Sequence, residues 1–239
     1  MIGVNYGVPY VNMDPYIDVE KFLSLAPEIC AGIEQSEQHL CNPGSRTVGI
    51  ENYPDLLHPY EAEKLYADEV AGMSDIEKRS YLKYYRKVCY PVAGVYIKRQ
   101  QNYLKKHLAE YSEYTANAQF YPKFIEYVEN DLPFSEVGRI FIFCQDHFAP
   151  LTEHRDSMND EYDNELTDFL WLTIDQNQMQ FYLRDLEQNK IFIEGCTSAW
   201  FNENDQHGSP GVADATFCIR IDGVFKPGIR EQVQQNLCM

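Results

Sequence analysis

Gly138-Arg139-Ile140-Phe141-Ile142-Phe143-Cys144 is the stretch at which this chain changes its period. Apolar β-branched and aromatic residues follow one another there with a single cation at the start, the composition of a strand buried on both faces. Similar runs recur at Phe169-Leu170-Trp171-Leu172-Thr173-Ile174, Met179-Gln180-Phe181-Tyr182-Leu183, Ile191-Phe192-Ile193 and Ala215-Thr216-Phe217-Cys218-Ile219-Arg220-Ile221, separated by polar turns. Short strands at such spacing predict an all-β sandwich or barrel, and eight strands of a jelly roll fit about ninety residues.

Upstream of Gly138 the spacing predicts helices. Residues 18–35 place Phe22, Leu25 and Ile29 on one face, with Asp18 as N-cap. Asn42-Pro43-Gly44-Ser45 reads as a turn, Arg46–Ile50 as a short strand and residues 60–71 as a helix. Ser74-Asp75-Ile76-Glu77 is a capping box opening a helix that runs toward Pro91. Val92, Val95, Tyr96, Leu104, Leu108 and Tyr111 predict a longer helix after it, and Pro122 suits the first turn of a last one. The expected fold is α+β: a mainly helical region over residues 1–135, a β-core over 136–225 and a C-terminal tail over 226–239, in one integrated domain.

Within the β-half, His154-Arg155-Asp156 is followed 51 residues later by His207 and 13 residues after that by Arg220. Side chains at i and i+2 of a strand share a face, so His154 and Asp156 reach one ion from a single strand end while Arg155 turns away. His207 arrives from another strand, next to Gly208, which permits a tight backbone. Two imidazoles and one carboxylate leave half of a coordination sphere open, the donor set of non-heme Fe(II) oxygenases. Arg220 lies inside an apolar strand, where a guanidinium is costly unless paired, and a carboxylate ligand would pair it bidentately.

These residues resemble the Fe(II)/2-oxoglutarate-dependent oxygenases, over roughly residues 136–225. Glu153–Asp156 and Trp200-Phe201-Asn202 look like the prolyl and aspartyl/asparaginyl hydroxylases within that family. The resemblance implies a double-stranded β-helix of the cupin type with the helices packed on one sheet. It implies Fe(II) held by His154, Asp156 and His207, 2-oxoglutarate clamped at its far carboxylate by Arg220, and O2 as the third reactant. The products would be succinate, CO2 and a hydroxylated small-molecule or peptide substrate. The retained Asp156 favours hydroxylation over halogenation. Where some members carry a serine two residues after the arginine, this chain has Asp222, which is expected to orient Arg220 or point elsewhere. A cupin-like binding module and a zinc hydrolase remain open, because zinc takes the same ligands.

Composition narrows the classes further. The net charge is −17 over 239 residues, which argues against nucleic acid and anionic membrane surfaces as partners. Nine of the twenty basic residues lie in 78–106, including Lys98, Lys105 and Lys106, and read as the solvated face of helices. The seven cysteines are scattered without a CxxC, as in a reduced, cytoplasmic protein, with Cys144, Cys196 and Cys218 expected as buried fillers. The N-terminus has no leader pattern, no apolar run is long enough to span a bilayer, and nothing specifies an oligomer. Asn202 and Asp205 are candidates to hold the His207 ring, with surface turn residues the favoured description of both. Trp171, Thr173 and Tyr182 are candidates for the co-substrate pocket, with core packing the default. His39, His58, His107 and His147 lack ligand spacing. The acidic segment Ser157–Glu165 is a candidate lid, a solvated loop being the favoured description.

Overall fold

The computed structural model describes residues 8–40, 65–73, 78, 81–82, 93–145, 151–156, 166–174, 181–209 and 216–237. The expectations for Asn42–Ile50, Ser74–Glu77, Ser157–Glu165, His58 and His147 lie outside these residues.

Among the described residues, eleven strands fall into two antiparallel sheets. They are β1 Tyr10–Asn12, β2 Ala93–Gln100, β3 Ser112–Tyr114, β4 Phe134–Gln145, β5 Leu151–His154, β6 Asp168–Leu172, β7 Tyr182–Arg184, β8 Lys190–Phe192, β9 Ser198–Phe201, β10 His207–Ser209 and β11 Thr216–Phe225. The larger sheet has the order β1-β9-β6-β11-β4-β2-β3 and the smaller β5-β10-β7-β8. From β4 onward the chain passes back and forth between the two sheets. The helices described from end to end are α1 Val19–Ser24, α2 Ala26–Leu40, α3 Pro122–Asn130 and α4 Ile229–Leu237, besides short 3-10 turns; Lys78, Tyr81 and Leu82 are helical too, within the helix expected to run toward Pro91.

Strand alternation gives the larger sheet two different faces. Ile219 stands opposite Ile142 and Leu172, Ile221 opposite Ile140 and Leu170, and Val95 opposite Ile142, so one face is a buried aliphatic surface. Helices α2 and α3 lie against β2 and β4 on that side. The other face carries Arg220, opposite Phe141 and Trp171, and meets the smaller sheet. Trp171 packs on Phe181, just before β7, with ring centroids 4.6 Å apart. Burying these aliphatic and aromatic side chains supplies the main drive for folding, at about 1.5–3 kcal/mol for each large one.

Three expectations need correction. Ala93–Gln100 is a strand paired with β4, not part of a long helix. Val95 and Ile97 are buried on one face, a period of two that a short apolar run shares with the i, i+3, i+4 pattern. Gly94 makes the pairing possible: a Cβ there would lie 2.0 Å from Cζ of Phe141. Leu104, Leu108 and Tyr111 fall instead in or beside the 3-10 turns Tyr103–Lys105 and Ala109–Tyr111. The N-terminal region is therefore mixed, and it completes the larger sheet rather than only covering it. Second, Lys98 and Lys106 are not on a solvated helical face; both are buried. Third, residues 66–72 form hydrogen-bonded turns. Residues 18–35 hold as expected except for a break at Leu25, because Pro27 has no N–H for the Leu23 carbonyl. Asp18 caps α1 by accepting from the Lys21 N–H at 2.9 Å.

Candidate metal centre

His154 is the last residue of β5 and His207 the first of β10, and the two Cα positions are direct partners across the small sheet. Asp156 follows in a bend. Its N–H donates to the Glu203 carbonyl at 3.2 Å, and its own carbonyl accepts from the Tyr103 hydroxyl at 3.2 Å. These bonds bring its Oδ1 to 3.4 Å from Nε2 of His154 and 3.6 Å from Nε2 of His207. Arg155 is exposed, turned away as the alternation requires.

One ligand atom from each of His154, Asp156 and His207 lies within 4.8 Å of the others. Cis donors bound at about 2.0–2.2 Å to one ion stand about 3 Å apart, so the two separations from Asp156 need only about half an ångström of adjustment, and the imidazoles close the rest of the triangle by side-chain rotation. Nδ1 of His207 is 2.8 Å from the Asp205 carbonyl, which can only accept, so that nitrogen carries the proton. The Nε2 lone pair is thereby left for an ion, the outer hydrogen bond expected of a ligating histidine. The donor set and its geometry fit a divalent cation. The His207 ring is buried beside Phe181 and Phe201, at 5.3 and 5.8 Å, whereas the His154 side chain is 42% exposed, so the site opens on the His154 side.

The carboxylate of Asp156 is divided between two tasks. Oδ1 faces the imidazoles and Oδ2 accepts from Nη1 of Arg220. Burial works to raise its pKa, but the Arg220 guanidinium holds the carboxyl well below the usual range. Arg220, Asp222 and Glu203 extend this into a buried network. Asp222 takes Nε of Arg220 at 2.9 Å and Nε of Arg139 at 2.6 Å. Glu203 accepts from Nη2 of Arg220, from Nζ of Lys106 at 2.6 Å and from the Thr167 hydroxyl at 2.8 Å. The guanidinium of Arg220 lies over the Phe169 ring at 4.2 Å. Burial would raise Glu203 and Asp222 and lower Arg220; the opposite charges win in each case, and all three stay ionised. Lys106 is pushed down by burial and by Arg220.

All four residues singled out from the sequence are therefore adjacent. Asp222 orients Arg220, one of the two expectations for it. Asn202 and Asp205 are not surface turn residues: the whole run Asn202–Asp205 is buried, and Asp205 acts through its backbone. Trp171 is buried with its Nε1 lacking a hydrogen-bond partner, and Tyr182 bonds Glu153 at 2.7 Å instead of facing the centre. Glu153 also takes Nε of Arg184 and Nε2 of Gln206, tying β5 to the strands beside it. Sequence reasoning missed Glu203, Lys106, Arg139 and Tyr103. Glu203 sits in the polar corner before His207 and could have been weighed there. The other three come from the misread region or from a strand whose cation had no stated partner. Cys196 is buried, with its thiol pushed up to about 11, and is an unreactive filler as expected; Cys218 is half-buried.

Neither a family model nor a curated protein matches the chain. Among solved structures it is similar to a prolyl-4-hydroxylase from Pseudomonas putida, at 10% identity and TM-score 0.31, over 46% of this chain and 64% of that one, just under two thirds of its length. It is also similar to a 2OG-Fe(II) oxygenase family protein from Burkholderia pseudomallei, at 7% identity and TM-score 0.36, over 62% of this chain and 76% of that one. A prolyl hydroxylase from Trichoplax adhaerens, solved with a hypoxia inducible factor peptide fragment, aligns at 10% identity and TM-score 0.33, over 74% and 78%. Partial alignments of this kind leave the chemistry to be decided by the side chains.

Proposed function

We propose that the chain is an Fe(II)- and 2-oxoglutarate-dependent dioxygenase that hydroxylates an unactivated C–H bond, releasing succinate and CO2. The observation that carries this reading is the convergence of His154 Nε2, Asp156 Oδ1 and His207 Nε2 at an open strand end, backed by a buried arginine. The alternation of β4 to β11 between two sheets, in the orders β9-β6-β11-β4 and β5-β10-β7-β8, supports reading the core as a double-stranded β-helix. On this reading residues 136–225 are the catalytic core, residues 1–135 support it and 226–239 form the tail. The substrate class follows from the resemblance of Glu153–Asp156 and Trp200–Asn202 to hydroxylases of peptidyl residues: an amino acid or a peptidyl side chain.

When bound, Fe(II) would supply dioxygen activation coupled to decarboxylation of the 2-oxo acid. The protein residues do the rest. His154, Asp156 and His207 would hold the ion, and Arg220, by holding Oδ2 of Asp156, would leave only Oδ1 of that carboxylate to bind it. Arg220 would also draw the far carboxylate of 2-oxoglutarate by charge. Phe181 and Phe201 keep water from the inner side of His207. Among the described residues no helix is long and apolar enough to cross a membrane.

The test is an anaerobic titration of the metal-free protein with Fe(II) and then 2-oxoglutarate, with His207→Ala as control. A visible charge-transfer band in the wild type that is absent from the variant is expected. Retention of zinc, with no band, would refute the reading in favour of a hydrolase or a binding module.

A further inference from the structure

The edge of Arg220 that a co-substrate carboxylate needs is already taken. Nε and Nη2 grip Asp222 side-on, at 2.9 and 2.8 Å. The end-on pair Nη1 and Nη2 faces two different carboxylates, Asp156 and Glu203. Asp156 belongs to the metal set, but Glu203 does not. Its carboxylate lies between Arg220 and Lys106, with the Thr167 hydroxyl on its other oxygen. A guanidinium edge, an ammonium and a hydroxyl are the donors that the terminal carboxylate of a dicarboxylic ligand would seek.

We propose that Glu203 is a built-in competitor for the distal carboxylate of the co-substrate: 2-oxoglutarate engages Arg220 and Lys106 only when the Glu203 side chain has left them. This rests on the 2-oxoglutarate reading above. The two occupants are exclusive because they need the same donors. Nη2 of Arg220 and Nζ of Lys106 already meet one oxygen of Glu203, and the Thr167 hydroxyl donates to the other. A second carboxylate brought beside Glu203 would stand next to like charge with these donors already taken. Exchange of one carboxylate for the other keeps every donor paired. A 2-oxo acid with no distal carboxylate makes no such demand and binds with Glu203 in place. Glu203 therefore lowers the affinity for 2-oxoglutarate by the fraction of time it occupies the site, and leaves the chelating end of the ligand untouched.

The experiment is calorimetric titration of the Zn(II)-loaded protein, which cannot turn over, with 2-oxoglutarate and separately with pyruvate, for wild type, Glu203→Ala, Glu203→Gln and His207→Ala. The Gln variant is nearly isosteric and keeps an acceptor for Thr167; circular dichroism checks that each variant is folded. Both Glu203 variants are expected to bind 2-oxoglutarate about tenfold tighter or more, with pyruvate changed by less than about twofold. An unchanged or weaker affinity for 2-oxoglutarate in both variants, with binding still lost in His207→Ala, overturns the competitor and leaves the oxygenase reading standing. Absence of 2-oxoglutarate binding from wild type and Glu203 variants alike, with zinc bound, overturns both.

Discussion

Asp222→Asn should destabilise the metal-free protein by roughly 3 kcal/mol, at the lower end of the ~3–5 kcal/mol for breaking a buried ion pair. Asp222 has no exposed surface and accepts from Arg139 at 2.6 Å and from Arg220 at 2.9 Å. Asparagine keeps the shape and one acceptor oxygen, but it turns an NH2 group toward one of the two guanidinium ions and removes the charge from both. Two unit charges about 4 Å apart interact by about 4 kcal/mol at an effective dielectric of 20, so losing one carboxylate between two cations is not a small change. Three features hold the loss at the low end: Arg220 keeps Asp156 and Glu203, and Arg139 keeps its position over the Tyr103 ring at 5.8 Å. For a chain of this length that corresponds to a fall in Tm of about 6–12 °C. Urea denaturation at pH 7 measures it, alongside Arg139→Met and the double variant. The double variant should lose less than the sum of the two singles, because the second change removes a cation already stripped of its partner. A loss below about 1 kcal/mol, or strict additivity, would show that Asp222 and Arg139 are not coupled and that the buried network is wrongly drawn.

Acid should act on the same groups. Asp156, Glu203 and Asp222 are all held below their ordinary values, so they contribute stability above an unfolded carboxylate pKa of about 4 and lose it as pH falls through the depressed folded values. Urea midpoints should be level from pH 7 to about 5 and fall below about 4, with a shallower fall in Asp222→Asn; a decline already complete at pH 5 would contradict the assignment. Gly94→Ala tests the strand that the sequence pattern misplaced. The added methyl would meet the Phe141 ring, and overpacking of this kind costs about 1–3 kcal/mol; an unchanged Tm would put β2 elsewhere.

The legible part of this protein is the part whose signals are local. Unbroken runs of β-branched and aromatic residues marked the strands β4, β6 and β11, because a strand buried on both faces needs apolar side chains at nearly every position. The i, i+2 relation of His154 and Asp156 pointed to the candidate ligand pair, although Asp156 lies in a bend just past β5 and its backbone bonds, not alternation alone, bring it to the imidazoles. What joined them to His207 was distance along the chain and a polar corner, which the register of β5 against β10 turned into direct partnership. The misreadings came where a short run satisfied two periods at once. Val92, Val95 and Tyr96 fit a helix, and nothing local reported that Gly94 faces a phenylalanine ring from residue 141. The charges were misjudged for the same reason. Lys106 looks like any solvated lysine until the fold sets Glu203 2.6 Å away, a relation across 97 residues that no window of sequence contains.

Why the chain buries five charges behind the half-buried Asp156 of the candidate metal centre is answered by that carboxylate. A carboxylate with both oxygens free can swing to bind an ion through two of them, which would consume a position the chemistry needs open. Committing Oδ2 to Arg220 prevents this, but a buried guanidinium then needs counter-charge of its own. Asp222 and Glu203 provide it, and they in turn need Arg139 and Lys106. Each ion beyond Asp156 is the consequence of the one before it, and the series ends where, before any metal ion is bound, three cations face three carboxylates. Lys106 closes it from the residues just after β2, so the N-terminal region contributes to the centre through charge as well as through packing. Arg220→Lys tests this chain of dependence. A lysine keeps the charge but has no planar fork to hold Asp156, Glu203 and Asp222 together. Zn(II) affinity of the metal-free variant should fall by about tenfold as Asp156 loses its orientation, in the range reported for outer partners of metal ligands. If zinc affinity is unchanged, Asp156 is held by its backbone bonds to Glu203 and Tyr103 alone, and the buried charges serve stability only.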